Sequence, residues 1–321
     1  MSKPKVGFYW CASCGGCEEA VVDLHEAVLD VVAAVDIVFW PCAMDFKRSD
    51  VESMADNEFT AVFVNGAIRN SEQLEMAELL RKKAQFLIAF GSCAHQGGVP
   101  GLANLYSRDE ILQAVYGNHF SNVNPDYTLP QPKWTAPEGI LTIPEFYATV
   151  KSLDQVVNVD YYLPGCPPPV KLIVGAVQAL LSGNLPPKGT VLAPDVPQCD
   201  ECPRKETKPE KLTVEKFFRP WQIEIDPEKC LLAQGLLCLG PATRSGCDWA
   251  CINGNMPCTG CLGPTSRVKD YGAKLLSSMA ALIDASDPNE IEKRLENLVD
   301  PVGTFYRYSF PDSLIHRKPI A

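Results

Sequence analysis

The residues of this chain best suited to chemistry are its 14 cysteines. Three of them, Cys11, Cys14 and Cys17, fall within the single stretch WCASCGGCEEA. Two more stand in turns rich in glycine and proline, Cys93 in GSCAHQGG and Cys166 in PGCPPP. Such turns leave backbone N–H groups free to bond sulfur. Thiolate is a soft ligand, so these groups indicate zinc or iron–sulfur clusters rather than hard cations.

A second group of eight cysteines lies between positions 199 and 261, and it begins and ends with a C-x-x-C pair. Its members are Cys199, Cys202, Cys230, Cys238, Cys247, Cys251, Cys258 and Cys261. Eight thiols suffice for two sites with four ligands each. The chain has only 4 histidines and no H-E-x-x-H motif, so sulfur dominates the available ligands.

Composition excludes several classes of partner. The net charge of −10 argues against nucleic acid and against an anionic membrane surface, both of which attract basic patches. No stretch reaches the roughly 20 apolar residues of a membrane span. The beginning, MSKPKVGFYWC, resembles neither a secretory nor a twin-arginine signal. We therefore expect a cytoplasmic protein without direct membrane insertion, in which metal binding takes precedence over disulfides.

The elements that must position the thiols alternate between strand and helix. Strand-like segments cover residues 5–10, 36–40, 60–66 and 85–91, with a fifth within 156–165. Helical spacing marks residues 18–35, 71–83 and 170–183, and Asn70 with Gln73 resembles a capping box. This alternation predicts a flavodoxin-like, doubly wound parallel sheet of the α/β class. Its strands would bring the first cysteine group to one shared edge.

We predict two domains. Residues 1–185 would form the flavodoxin-like domain, and residues 186–321 a small, irregular domain around the later cysteines that ends in surface helices. Bound clusters would stabilise this second domain, because it has little periodic structure. The polar segment 117–143 is predicted to be a long surface insertion with a functional or partner-facing role.

At these residues the chain resembles the small, electron-transferring subunit of nickel–iron hydrogenases, over nearly its whole length to about Pro264. The C-x-G-C-x-E motif of that family matches CGGCEE, with Cys14, Cys17 and Glu19, whereas the frame that begins at Cys11 fits it poorly. The resemblance implies three 4Fe–4S clusters. It assigns the proximal cluster to Cys14, Cys17, Cys93 and Cys166.

The later cysteines resemble the distal and medial motifs of the same family. The resemblance assigns the distal cluster to Cys199, Cys202, Cys230 and Cys238. It assigns the medial cluster to Cys247, Cys251, Cys258 and Cys261. Many members carry His in place of Cys199, and many have proline and a three-iron cluster in place of the fourth medial cysteine.

Two cysteines, Cys11 and Cys42, are then left over, and Cys42 is expected to be a buried apolar thiol. Glu19 and His95 are candidates for tuning the proximal cluster or relaying protons. Each also has a structural explanation, such as a helix N-terminus that favours Glu19. Asn65 stands where relatives often have the glutamate of V-E-G, so one carboxylate is missing.

The resemblance implies an oxidoreductase in which this chain is a non-catalytic subunit. Hydrogen would be activated on the large nickel–iron subunit, whose paired C-x-x-C motifs, the second of them ending in His, are absent here. The most similar type is the cytoplasmic, methyl-viologen-reducing hydrogenase of methanogenesis, which feeds heterodisulfide reductase by flavin-based electron bifurcation. The implied partners are the large subunit and a further iron–sulfur or flavin subunit.

Three alternatives remain. The first is the small subunit of a deazaflavin-reducing hydrogenase. The second is a complex-I-like electron-transfer subunit, although such proteins resemble only the first domain and lack the eight later cysteines. The third is a zinc-stabilised interaction scaffold, because two C-x-x-C pairs suit a four-cysteine zinc site. Zinc does not explain the cysteines at the edge of the sheet.

Overall fold

The computed structural model describes residues 3–117 and 119–318, so Asn118 of the predicted insertion lies outside the described residues. The strands are β1 (Lys5–Trp10), β2 (Asp36–Phe39), β3 (Phe59–Asn65), β4 (Ile68–Asn70), β5 (Ala84–Phe90), β6 (Lys133–Ala136), β7 (Gly139–Thr142), β8 (Phe146–Lys151), β9 (Tyr161–Leu163) and β10 (Thr190–Val191). The helices are α1 (Gly16–Val22), α2 (Ala27–Ala34), α3 (Arg48–Ser53), α4 (Ser71–Lys83), α5 (Ser92–Gln96), α6 (Arg108–Leu112), α7 (Val170–Ser182), α8 (Ala250–Asn253), α9 (Tyr271–Ala280), α10 (Pro288–Leu295) and α11 (Pro301–Phe305).

Six parallel strands form the main sheet in the order β2–β1–β3–β5–β9–β10. This confirms the predicted doubly wound α/β fold. The strand order reverses between β1 and β3, and ligands of such sheets bind outside the carboxyl ends of the strands at this switch point. The sequence after β1 therefore faces the crevice where a ligand is expected.

Both faces of the sheet are covered. Along β3, Ala61 and Phe63 belong to one buried cluster, and Val62 and Val64 belong to another on the opposite face. This alternation follows from the period of two in a strand. Because helices cover both faces, the strands are continuously apolar.

Helix α4 begins at the predicted capping box. Asn70 Oδ1 accepts a hydrogen bond from the Gln73 backbone N–H at 2.9 Å, and Gln73 Oε1 accepts one from the Asn70 backbone N–H at 3.2 Å. Met76 and Leu80, on the inner face of the helix, are buried against the sheet. A cap of this kind stabilises a helix by about 1 kcal/mol.

The single helix predicted for residues 18–35 is wrong in one respect, because the structure divides it into α1 and α2. Between them His25 has a φ of +52° and is exposed. A positive φ interrupts the helical hydrogen bonds. The apolar spacing continues across this break, which explains why the sequence pattern did not reveal it.

The predicted insertion contains regular structure. Strands β6 and β7 pair as an antiparallel hairpin in which Trp134 lies opposite Leu141, and both side chains are largely exposed. Further along the chain, β8 pairs with β4 in a second two-stranded sheet. The hairpin of β6 and β7 lies within the surface insertion predicted at 117–143, whereas β8 follows it.

The cysteine-rich part of the chain has a core of its own. Its buried residues extend from Val214 to Phe310 and include the thiols of Cys238 and Cys258. The predicted terminal helices are present as α9 and α10. Within the described part of the chain, no helix is long and apolar enough to cross a membrane.

Candidate metal centres

The structure brings together the four thiols predicted for the proximal cluster, which we call the proximal set (Cys14, Cys17, Cys93 and Cys166). Burial raises the pKa of Cys17, and the nearby thiols of Cys93, Cys166 and Cys14 raise it further. Burial, followed by the charges of Cys166 and Cys14, raises the pKa of Cys93 to about 12. Thiolates this close repel one another unless a positive centre lies between them. Among the described residues no three Cys, His, Asp or Glu side chains lie close enough to hold a single metal ion, so this donor set fits only a larger centre such as a multi-iron cluster.

Two glycines allow the chain to approach the buried thiols of this set. A Cβ added at Gly91 would lie 2.3 Å from Cys17 Sγ, and one at Gly98 would lie 2.4 Å from Cys93 Sγ. Both glycines have positive φ values, +85° and +58°. Since real Cβ atoms do not come so close, only glycine at these two positions leaves the space that the sulfur atoms occupy.

The two leftover cysteines are separate from this set. Cys11 is only 5% exposed and belongs to the buried cluster that contains Val62 and Val64. Cys42 is exposed, so the expected burial of its side chain is wrong. Partial desolvation, followed by a hydrogen bond between its thiol and Glu18, raises the pKa of Cys42 to about 11.

The four thiols predicted for the distal cluster share one cavity, and we call them the distal set. The cavity is lined by Cys199, Cys202, Cys230 and Cys238, by Arg204 and by apolar side chains that include Leu231, Leu232 and Ile252. At its edge the Lys208 ammonium donates a hydrogen bond to Cys199 Sγ at 3.7 Å. A cavity with thiols and apolar side chains on its wall suits an iron–sulfur cluster.

The remaining thiols, Cys247, Cys251, Cys258 and Cys261, form the medial set. Burial raises the pKa of Cys261 to about 12, and the charges of Cys247 and Cys251 also raise it. Gln198 is 2% exposed, donates a hydrogen bond to Cys247 Sγ at 3.2 Å and accepts one from the Cys258 thiol at 3.6 Å. Sequence reasoning missed Gln198, because one glutamine in a linker-like segment gives no signal.

Adjacent sets touch each other. The Ser92 hydroxyl, next to Cys93, donates to the Cys261 carbonyl at 2.6 Å, and the Cys166 backbone N–H is close enough to lower the pKa of the Cys261 thiol. At the other end, the Cys258 backbone N–H donates to Cys238 Sγ at 3.4 Å. The medial set therefore lies between the proximal and distal sets.

Glu19 and His95, the candidates for tuning the proximal cluster or relaying protons, lie in different environments. Glu19 is exposed, whereas its neighbour Glu18, which the motif did not single out, is 4% exposed. Burial, with a smaller contribution from Arg244, lowers the pKa of His95 to about 3. The His95 ring packs 4.7 Å from that of Tyr162. This packing against Tyr162 is the structural role that the sequence allows for His95.

Comparison with known proteins supports the same interpretation. The family model "NADH ubiquinone oxidoreductase, 20 Kd subunit" matches residues 14–180. The chain is 36% identical over 317 residues to the iron–sulfur subunit of the F420-non-reducing hydrogenase of Archaeoglobus profundus, covering 98% of each chain. It is 37% identical over 322 residues to a subunit of the F420-non-reducing hydrogenase of Methanothermobacter thermautotrophicus, covering 98% of this chain and 97% of that one.

Among solved structures, the [NiFeSe] hydrogenase of Desulfovibrio vulgaris Hildenborough is similar with a TM-score of 0.52 and 19% identity, over 82% of this chain and 94% of that chain. At this identity the likeness concerns the fold alone. The two relatives from F420-non-reducing hydrogenases, in contrast, match at more than a third of positions along almost the whole chain. The chain therefore belongs to the family of these F420-non-reducing hydrogenase subunits, within the wider family of the 20 Kd subunit of NADH ubiquinone oxidoreductase.

Proposed function

We propose that this chain is the electron-transfer subunit of a cytoplasmic nickel–iron hydrogenase of the methyl-viologen-reducing type. In this proposal, electrons from hydrogen oxidation on the large subunit pass through three 4Fe–4S clusters to a downstream redox partner. The observation that carries the proposal is the row of three thiol sets joined by the contacts of Cys261 and Cys258. Short links between centres are what an electron relay requires.

The proximal, medial and distal sets would each hold one cluster through four thiolates. When bound, such clusters take up and release single electrons. The contribution of the chain is to hold and desolvate the thiols and to set the potential of each centre by nearby dipoles and charges. The Gln198 amide beside the medial set and the Lys208 ammonium beside the distal set are suited to that task.

Exposure indicates where the partners would bind. Cys14 and Cys166 of the proximal set are exposed, whereas Cys17 and Cys93 are buried. A cluster held by all four thiols would be exposed to solvent on one side, so we expect a second protein to cover it. We assign this role to the large subunit. The distal set has intermediate exposure at Cys199 and would face the second redox partner, with heterodisulfide reductase as the downstream acceptor.

The division into residues 1–185 and 186–321 is part of the proposal. The separate buried cluster between Val214 and Phe310 supports it, because each part then has a core of its own. The names of the relatives exclude reduction of F420, a deazaflavin, and so favour this hydrogenase type over the deazaflavin-reducing one. The eight later cysteines argue against a complex-I-like subunit.

The test is electron transfer in the assembled complex. The full chain, loaded with clusters and combined with its large subunit, should couple hydrogen oxidation to reduction of methyl viologen. The isolated chain should oxidise no hydrogen. A complex with Cys258→Ala should lose most of the transfer, whereas Cys42→Ala, which alters a thiol outside the three sets, should retain it. Hydrogen oxidation by the isolated chain at the rate of the complex would refute the proposal.

A further inference from the structure

We propose that Glu18 is a positioning residue for the proximal cluster. It would act through a buried chain of hydrogen bonds, Trp40–Glu18–Asn65–Ser13, that fixes the loop carrying Cys14. The inference rests on the proposed function, because it takes Cys14 and Cys17 as cluster ligands. It gives a role to Glu18. It also gives a role to Asn65, which stands where relatives often have the glutamate of the V-E-G motif.

The Glu18 carboxylate is held on both sides. Its Oε2 accepts a hydrogen bond from Trp40 Nε1 at 2.9 Å, and its Oε1 accepts one from Asn65 Nδ2 at 2.9 Å. A buried carboxylate is costly unless it is hydrogen-bonded, so this arrangement permits a charged group inside the protein next to Cys17. Its position in α1 is therefore strongly determined.

Asn65 transmits this constraint to the cysteine loop. The residue is the last of β3 and is fully buried. While its Nδ2 donates to Glu18, its Oδ1 accepts a hydrogen bond from Ser13 Oγ at 2.7 Å. The amide therefore bridges an acceptor on one side and a donor on the other, which a carboxylate cannot do. A glutamate or aspartate at this position would place a second negative charge against Glu18.

The loop is clamped at Ser13, the residue before Cys14. The Ser13 hydroxyl donates to Asn65, and the Ser13 carbonyl accepts a hydrogen bond from Trp10 Nε1 at 3.2 Å. The Trp10 ring also closes the space over Gly15, where an added Cβ would lie 2.8 Å from it. Cys14 is itself exposed, so it has little packing of its own. The hydrogen bonds at Ser13 hold its backbone together with the main-chain pair between Ala12 and Ala67, two residues before Cys14.

Neighbouring glutamates provide a matched comparison. Glu18 and Glu19 are adjacent in α1, but only Glu18 is buried and bonded to Trp40 and Asn65. The variants Glu18→Gln, Asn65→Asp and Ser13→Ala break the chain at successive links, and Glu19→Gln is the control. Ser13→Ala changes a half-buried loop residue and leaves the core intact, so it remains informative where a core variant folds poorly.

The experiment measures how fast each cluster is lost from the loaded full chain to an iron chelator, with the EPR signals of the three clusters followed separately. Loss of supporting hydrogen bonds typically costs about 10-fold to 100-fold in metal affinity. We expect the proximal signal to decay at least about 10-fold faster in Glu18→Gln, Asn65→Asp and Ser13→Ala. The medial and distal signals, and all signals of Glu19→Gln, should follow the wild type.

Two results would overturn the inference. One is decay of the proximal signal at the wild-type rate in Asn65→Asp and Ser13→Ala. The other is faster decay of all three signals together, which would mean that Glu18 and Asn65 support the fold and not this loop. The proposed function is tested first, by measuring how many iron–sulfur clusters the wild-type chain binds. If that chain binds no iron–sulfur cluster, both proposals fall. If it binds three, the variants decide the role of Glu18 alone.

Discussion

Replacing Gly91 with alanine tests whether the position of Cys17 Sγ decides the fate of the proximal cluster. Gly91 precedes α5 with φ +85° and ψ 167°, a region of backbone space reached essentially only by glycine. Alanine there costs about 1–3 kcal/mol in backbone strain. The larger effect is steric, because the new Cβ would lie 2.3 Å from Cys17 Sγ.

The displacement follows from these distances. Ordinary contact begins at 3.4 Å, so the sulfur must move by at least about 1.1 Å from its present 2.3 Å. Metal sites tolerate about 0.5 Å of misplacement. We therefore expect Gly91→Ala to lose the proximal cluster and to keep the other two. The iron content would fall from about 12 to about 8 atoms per chain.

The assay is iron and sulfide analysis of the purified full chain, together with EPR of its reduced form. Gly189→Ala is the control, because Gly189 has φ +87° but no atom within 4 Å of an added Cβ. This variant carries a similar positive φ without the clash, and it should retain all three clusters. A Gly91→Ala chain with full iron and an unchanged proximal signal would refute the reasoning.

The remaining predictions concern single thiols and one neighbour. Cys11→Ala should keep the proximal EPR signal and Cys14→Ala should lose it; loss of the signal in the first variant would reverse the ligand frame. Cys251→Ser should alter the four-iron medial signal, and an unchanged signal would remove Cys251 from the ligands. Gln198→Leu should lower the midpoint potential of the medial cluster in a redox titration, because the donor to Cys247 Sγ at 3.2 Å, which stabilises the more negative reduced state, is gone. A wild-type potential would show that this amide has no influence.

The architecture around the proximal set could be predicted from the sequence for a physical reason. Parallel strands end at one edge of a sheet, so cysteines that follow β1, β5 and β9 must lie near each other even though Cys17 and Cys166 are far apart in sequence. The period of the apolar residues and the capping box at Asn70 were sufficient to locate these elements.

The sequence could not predict which side chain of a short helix faces the interior, where a helix breaks, or which residues distant in sequence make contact. The motif pointed to Glu19, but successive helix residues differ by about 100° in direction, and in α1 it is Glu18 that faces inward. The break at His25 follows from a single dihedral angle. Gln198 contacts Cys247 and Cys258 across 49 and 60 residues of chain, a pairing that local patterns do not contain.

The hairpin of β6 and β7 in the insertion was not predicted, for a different reason. The segment KWTAPEGILT places a Pro-Glu-Gly turn between residues of high β propensity, which is a recognised hairpin signal. The high content of proline, asparagine and threonine in the surrounding residues indicates a surface insertion and obscures this hairpin signal. Its exposed Trp134 and Leu141 are unusual for a loop that only connects two elements.

The most direct test of the central claim is the metal content of the purified full chain, combined with its EPR spectrum on reduction. Three four-iron clusters require about 12 iron atoms and about 12 sulfides per chain, with strong visible absorbance. The proximal, medial and distal sets predict this result, and the medial signal should be of the four-iron type. Zinc bound at one or two equivalents, with no sulfide and no visible absorbance, would contradict the account.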